Sequence, residues 1–395
     1  MFASRIDWPL APNRLSKQLE ERRRRGLLVL DLTESNPTRC GFNYDVQEVL
    51  GALTDARSLT YDPDPRGPLA SRLAVVDYYA ERGIELTPEQ LFLTTSTSEA
   101  YSFVFRLLAD PGDNVLVPRP SYPLLDFLAR LDSVELNSYS LLYDQGWQID
   151  LGSLERALTP RTRAIVVIHP NNPTGSYVRP EERQALLEWC SKRQLALVAD
   201  EVFFDYALGP DAAEGNRRAA SHAGTCETLT FTLSGLSKIS ALPQMKLAWV
   251  VVSGPGEILR DVLTRLELIA DTYLSLSLPL AHALPRLLDL RRSMQPQILK
   301  RVRSNLRRLD EQISPASPVT RLKAEGGWNA ILRLPSIQSD EDWAIELLRE
   351  DGVLVHPGHL YDFASEGYLV VSLLTKPETF EEGVAKVLAR VSRSV

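Results

Sequence analysis

Residues 229–256 read L-T-F-T-L-S-G-L-S-K-I-S-A-L-P-Q-M-K-L-A-W-V-V-V-S-G-P-G, and their only charges are Lys238 and Lys246. Elsewhere the cations of this chain are mostly arginine. Arginine does not give up its proton, whereas a partly desolvated lysine becomes a neutral amine that attacks a carbonyl to form a Schiff base. Lys238 is therefore a candidate covalent residue. Ser234 and Ser237 bring hydroxyls beside it and Lys246 adds positive charge, a grouping suited to a phosphate. The competing reading is a pair of solvated surface lysines, where most lysines lie.

The elements around these residues decide how they are held. The runs 229–234 and 247–253 read as strands broken by Gly235 and Pro243, which places Lys238 in a short ordered loop. From residue 91 to about 209, strand-like and helix-like segments alternate, which predicts a mainly parallel sheet covered by helices. The first unit, L-F-L-T-T, leads into a helix whose start carries Ser96, Thr97 and Ser98. Free amides and the helix dipole attract anions there, although simple capping accounts for the same residues. A strand at 113–118 ends in R-P-S-Y-P, where Tyr122 either plugs the core or covers a flat ligand. The strand at 164–168 runs into H-P-N-N-P-T-G, with Asn172 in a string of turn-forming residues. The run 195–199 is continuously apolar, hence buried on both faces, and delivers Asp200 and Glu201 at its end. Ligands of open α/β sheets bind beyond the carboxyl ends of the strands, where the hydroxyl cluster, Tyr122, Asn172 and Asp200 all fall.

A chain of 395 residues with 44% hydrophobic content buries a large core and suggests more than one domain. We divide it into an N-terminal arm that joins the small domain (1–45), a large ligand-binding domain (46–289) and a smaller α+β domain (290–395). Within these, helices are expected at 15–25, 69–82, 257–273, 278–309 and 340–349, with strands at 27–32 and 368–373. The net charge of −7 argues against a nucleic-acid partner, and the basic cluster Arg22 to Arg25 reads as the solvated end of a helix. Cys40, Cys190 and Cys226 are too scattered for a disulfide framework or a zinc site, which points to a reducing compartment and the cytoplasm. No signal peptide is evident, and no apolar run approaches the roughly 20 residues needed to span a bilayer.

Taken together, A-D-P-G-D-N-V-L-V-P-R-P-S-Y-P, H-P-N-N-P-T-G, V-A-D-E-V-F and S-G-L-S-K-I-S-A-L-P-Q-M-K-L-A-W resemble the class I/II aminotransferases, fold type I enzymes dependent on pyridoxal 5′-phosphate. The match runs from about residue 30 to residue 372. The resemblance implies that Lys238 forms the Schiff base with the cofactor and that Asp200 pairs with its ring nitrogen, keeping the ring protonated as an electron sink. It further implies that Asn172 donates to the ring hydroxyl and that Tyr122 stacks on the ring. Ser96, Thr97, Ser234, Ser237 and Lys246 would hold the phosphate. Tyr61, in Y-D-P-D-P-R-G, looks like the tyrosine that family dimers send across to the neighbouring phosphate, so a homodimer is implied.

Three positions depart from the family pattern. Lys246 stands where arginine is usual, supplying charge without a bidentate fork. Phe203 stands where a tyrosine commonly donates to the ring hydroxyl. Val370 stands where the family places the arginine that grips the substrate carboxylate. Arg39, Arg119 and Arg333 are candidates to replace it, with Arg39 preferred because the N-terminal segment of this family folds over the site. The activity implied is transfer of an amino group from an amino acid to an oxo acid. The alternatives are a lyase on the same cofactor, by C–S β-elimination or decarboxylation, and a non-catalytic ligand-sensing domain.

Overall fold

The computed structural model describes residues 1–209 and 218–394. The chain opens with helix α1 (Arg14–Arg24), whose first turn is capped by the Asn13 side chain accepting from the Ser16 amide, and with a two-residue strand β1 (Leu30–Asp31). Helices α2 (Val46–Gly51) and α3 (Leu69–Ala80) precede β2 (Leu91–Thr94) and α4 (Thr97–Leu108). Next come β3 (Asn114–Arg119), α5 (Leu124–Leu131), β4 (Glu135–Tyr143), β5 (Trp147–Ile149) and α6 (Leu151–Ala157). They are followed by β6 (Thr162–Ile168), α7 (Pro180–Arg193) and β7 (Ala196–Asp200). The segment with both lysines forms β8 (Thr230–Gly235), α8 (Leu236–Ile239) and β9 (Ala248–Ser253). Helices α9 (Gly256–Tyr273), α10 (Leu278–Asp289) and α11 (Arg291–Gln312) then lead to β10 (Thr320–Arg321), β11 (Asn329–Arg333) and α12 (Asp340–Glu346). The chain finishes with β12 (Val353–Leu354), β13 (His356–Pro357), β14 (Tyr368–Ser372) and α13 (Pro377–Ser394).

The sequence pattern explains the main sheet, an eight-stranded layer in the order β2-β9-β8-β7-β6-β3-β4-β5. Its five inner strands, β8-β7-β6-β3-β4, run parallel, while β2, β9 and β5 pair antiparallel. Successive side chains of a strand point to opposite faces. Val166 and Val198 enter one apolar cluster with Val104, Phe105 and Leu266, whereas their neighbours Ile165, Val167, Leu197 and Ala199 enter another with Leu186 and Leu187. Helices cover both faces, so these strands read as unbroken apolar runs. The class is α/β, as predicted.

A second core lies under the four-stranded sheet β10-β11-β14-β13. It gathers Leu30 and Leu32 from the N-terminal segment, Ile298, Val302 and Leu309 from α11, Trp343, and Phe380 and Val384 from α13. Strand β1 adds parallel to β12, tying the chain's beginning to its end.

Some expected elements need correction. Lys238 sits not in a loop but in the helical turn α8, which starts directly after β8 and is followed by a 3-10 turn, Pro243–Met245. The hairpin β4–β5 has no counterpart in the sequence reading, because β4, beside the edge strand β5, mixes exposed and covered positions. The stretch 278–309 is two helices meeting at Leu290, where Arg291 donates to the Leu288 carbonyl and to the Glu81 carboxylate and so holds the bend. The strand expected at 27–32 shrinks to two residues, because the Arg22 side chain takes the Leu28 carbonyl.

Candidate active site

Strand β7 places Asp200 next to Leu233 of β8 and Ile168 of β6, at the carboxyl edge of the parallel strands. Lys238 leaves the same edge on α8, one strand over. Asp200 Oδ1 accepts from the Val202 amide at 3.1 Å and Oδ2 from the Tyr101 hydroxyl at 3.1 Å. Burial pushes the carboxyl up to about 6, against the pull of these two donors, so it is still mostly ionised at neutral pH.

Desolvation acts on Lys238 with the opposite sign and lowers it to about 8, with the Asp200 charge opposing. Its Nζ lies over two aromatic rings, 5.3 Å from the centroid of Phe203 and 5.0 Å from that of Trp328. The backbone carbonyl of Lys238 accepts from the Tyr206 hydroxyl at 2.6 Å, which fixes the turn that aims the amine. An ammonium has no electron pair to attack with, so the nucleophilic form appears as pH rises through about 8. In cofactor-free protein, the rate at which Lys238 takes up pyridoxal 5′-phosphate, trapped with borohydride, should climb through about pH 8 and then level off. A rate still climbing at pH 10 contradicts this environment.

Both groups face one cavity of about 460 Å³, within the size range of small-molecule sites. Ser96, Thr97 and Ser98 at the start of α4, with Ser237 and Lys246, line one part of it. The Ser96 side chain caps α4 by accepting from the Glu99 amide, so the capping reading holds for its hydroxyl. The Thr97 and Ser98 amides of the first turn have no acceptor within the helix and are available to an anion. Asn172 Oδ1 accepts from Asn329 Nδ2 at 2.7 Å, which turns the Asn172 amide nitrogen into the free end. Tyr122 is 46% exposed and lines the same cavity.

The structure therefore brings together Lys238, Asp200, Asn172, Tyr122, Ser96, Thr97, Ser237 and Lys246. It does not bring in the others. Ser234 is buried within β8 with its hydroxyl unpartnered and is off the cavity wall. Arg39 is exposed on the 3-10 turn Pro37–Arg39 and Arg333 is exposed at the end of β11, both away from the wall. Arg119 pairs with Asp126 and Asp362. Tyr61 is 80% exposed and borders a separate cleft with residues 274–276. Glu201 faces away from the cavity and accepts from the Ser221 hydroxyl at 2.6 Å and the His222 amide at 2.7 Å, anchoring the chain just beyond Asp200. Sequence reasoning missed Tyr101, Trp328, Asn329, His356 and Tyr361, which also line the cavity. Nothing in G-G-W-N or V-H-P-G marks Trp328, Asn329 or His356, since their place follows from how the small sheet's residues reach the cavity, as Asn329 does by bonding Asn172.

The donors present fit pyridoxal 5′-phosphate: an amine for the aldehyde, a carboxylate for the ring nitrogen, a free amide for the ring hydroxyl and a helix start for the phosphate. The family model for aminotransferase class I and II matches residues 29–387. The chain belongs to the class I and II aminotransferases. Among curated relatives, the alanine aminotransferase of Mycobacterium tuberculosis is 30% identical, covering 89% of this chain and 82% of that one. The glutamate-pyruvate aminotransferase AlaA of Haemophilus influenzae is 27% identical over 92% of this chain and 90% of its own. The solved alanine aminotransferase from Pyrococcus furiosus shares the fold with a TM-score of 0.87 at 22% identity, each chain being covered over its whole length. This aminotransferase depends on pyridoxal 5′-phosphate and has the fold type I architecture. Its relatives favour transfer over the lyase alternative and make the chain an enzyme rather than a sensing domain.

Proposed function

We propose that this aminotransferase works through Lys238 as covalent anchor and proton carrier, with Asp200 as the charge that keeps the cofactor ring protonated. The observation that carries the reading is a lysine with a lowered pKa one strand away from a buried carboxylate, both facing one cavity. Bound there, pyridoxal 5′-phosphate supplies an aldehyde for the incoming nitrogen and a ring that takes up the electron pair left when a proton departs from the substrate Cα. Asn172 presents its free amide to the ring oxygen and Tyr122 covers the ring. The first turn of α4, Ser237 and Lys246 hold the phosphate. Once displaced by the donor amine, the Lys238 amine takes the Cα proton and returns it, its neutral form being accessible near neutral pH.

The substrates on this reading are an amino acid donor and an oxo acid acceptor. The names of the relatives put alanine and glutamate first in a donor panel and pyruvate first among acceptors. Mixing the loaded enzyme with each donor should convert the bound cofactor stoichiometrically to its amine form, followed by absorbance. Release of pyruvate and ammonia without that conversion would instead mark elimination.

A homodimer in the cytoplasm completes the proposal, with 1–45, 46–289 and 290–395 as the arm, the large domain and the small domain. Leu59, Tyr61, Leu69, Leu73, Leu268 and Tyr273 are large apolar side chains left exposed in the single chain, and they support a partner surface that includes Tyr61. In that arrangement Tyr61 serves the neighbouring phosphate. No helix among the described residues is long and apolar enough to cross a membrane.

Phe203 is 7% exposed and packs edge-on against Trp328 with ring centroids 5.2 Å apart. It offers no donor where a tyrosine would stabilise negative charge on the cofactor ring oxygen. Installing that hydroxyl favours the deprotonated form, so the pH-dependent absorbance transition of the bound cofactor should move down in Phe203→Tyr, by about one unit for one added hydrogen bond. An unchanged or higher midpoint rejects this role.

A further inference from the structure

The cavity wall has an uneven supply of cations. Among the described residues that line it, Lys238 and Lys246 are the only lysines and no arginine is present. Both lysines already have work in the proposed function, one with the aldehyde and one with the phosphate. The remaining side chain on the wall able to carry positive charge is His356.

Its position is specific. Strand β13 pairs antiparallel with β14 so that His356 lies directly across from Val370. Val370 is 1% exposed and packs into the apolar cluster that holds Ile331 and Tyr361, so it presents nothing to a polar substrate. The imidazole is held by Tyr361, whose hydroxyl lies 3.0 Å from His356 Nδ1. Burial pushes the Tyr361 phenol up, so it keeps its proton and can donate it to Nδ1. With Tyr361 as the donor the ring proton sits on Nε2, which has no hydrogen-bond partner among the described residues. Tyr361 is tied in turn to the loop carrying Tyr122, because its carbonyl accepts from the Ser121 amide at 2.9 Å. Burial lowers the His356 pKa, with Asp31 opposing, so in the free enzyme the ring acts as a neutral Nε2–H donor.

We propose that His356, positioned by Tyr361, receives the α-carboxylate of the amino acid substrate, a task that Val370 cannot perform. This rests on the aminotransferase reading above and adds the residue that selects for an acid. One N–H makes a single hydrogen bond where a guanidinium makes two. The selectivity for a carboxylate over an uncharged isostere is therefore smaller than a guanidinium would give.

The test compares half-reactions of the loaded enzyme with L-alanine, L-glutamate, L-aspartate and L-phenylalanine against the corresponding α-carboxamides. Wild type should prefer the acid for every donor that reacts. His356→Ala should reduce the acid-to-amide ratio of kcat/KM by about 10- to 100-fold, the value of a hydrogen bond to a charged group. The loss should fall mainly on KM for the acid, and His356→Gln, which retains an N–H donor, should recover part of it. Tyr361→Phe should lower the ratio by less, since it only frees the ring to rotate. Cofactor absorbance in each variant confirms that the site has folded. A wild type that treats acids and amides alike, or a His356→Ala variant whose ratio is unchanged, overturns the inference. A protein that binds cofactor at Lys238 yet reacts with no acid and no amide sinks the transfer reading itself, and this inference with it.

Discussion

Lys238→Ala should lower the half-reaction rate by about 10⁴-fold or more, because the change removes a general base worth 10²–10⁴ together with the covalent attachment. The loss should appear in kcat. Cofactor should still bind, more weakly, since Asp200, Asn172 and the start of α4 are untouched. Borohydride treatment followed by peptide mapping should find no cofactor adduct at position 238. The other amine on the cavity wall is Lys246, which is exposed and stands on a left-handed backbone, φ 49°, just before β9. An adduct there with preserved activity would transfer the whole assignment to Lys246. Stability should change little, because the amine makes no hydrogen bond among the described residues and lies over the rings of Phe203 and Trp328; what its removal takes away is a charge that partly offsets the desolvation of Asp200.

Asp200→Asn tests the second half of the mechanism, with almost no change of shape. The amide oxygen can still accept from Val202 or Tyr101, but the negative charge is gone. Losing a preorganised charge that stabilises the developing electron pair should cost about 10²–10³ in kcat. The pH dependence has a definite sign. Burial raises the carboxyl to about 6, so the ionised form dominates above that value and the neutral form below it. Cofactor affinity of wild type should therefore fall as pH drops through about 6, and this acid limb should be missing in Asp200→Asn. A variant with wild-type kcat, or one that keeps the acid limb, would show that another group interacts with the ring.

Much of this site was legible in the residues because its parts follow parallel strands buried on both faces. Runs such as 164–168 and 196–200 cannot be mistaken for half-exposed strands, and their carboxyl ends are where Asn172 and Asp200 fall. Strand β4 was invisible for the opposite reason. Next to the edge strand β5 its residues vary between cover and solvent, and E-L-N-S-Y-S-L-L-Y has no long apolar run. The turn α8 is only four residues long, too short for helical periodicity to register.

The substrate end of the site was the least legible. Arg39 follows from charge and from its place in the N-terminal segment; its side chain is exposed on a 3-10 turn, off the cavity wall. His356 lies on a two-residue strand, and its relation to Val370 exists only through cross-strand pairing between segments 14 residues apart. No local pattern encodes such a register. Ser234 is buried one residue before Gly235, where β8 reaches the cavity wall, and its own hydroxyl is off that wall.

The wall of the cavity is assembled from distant parts of the chain. Thr33 and Ser35 come from its first tenth, Asp200 and Lys238 from its middle, and Trp328, His356 and Ser372 from its last fifth. The early and late pieces are joined directly, since the Ser372 amide donates to the Leu32 carbonyl at 2.6 Å and the Ser372 hydroxyl to the Glu34 carbonyl at 2.7 Å. A ribosome that has just released Lys238 has therefore produced the reactive amine without its Trp328 cover or its closing strand. Vitamin capture by this protein belongs to the finished polypeptide, and colour in a preparation of nascent or C-terminally clipped chains would be weak even where the lysine is present.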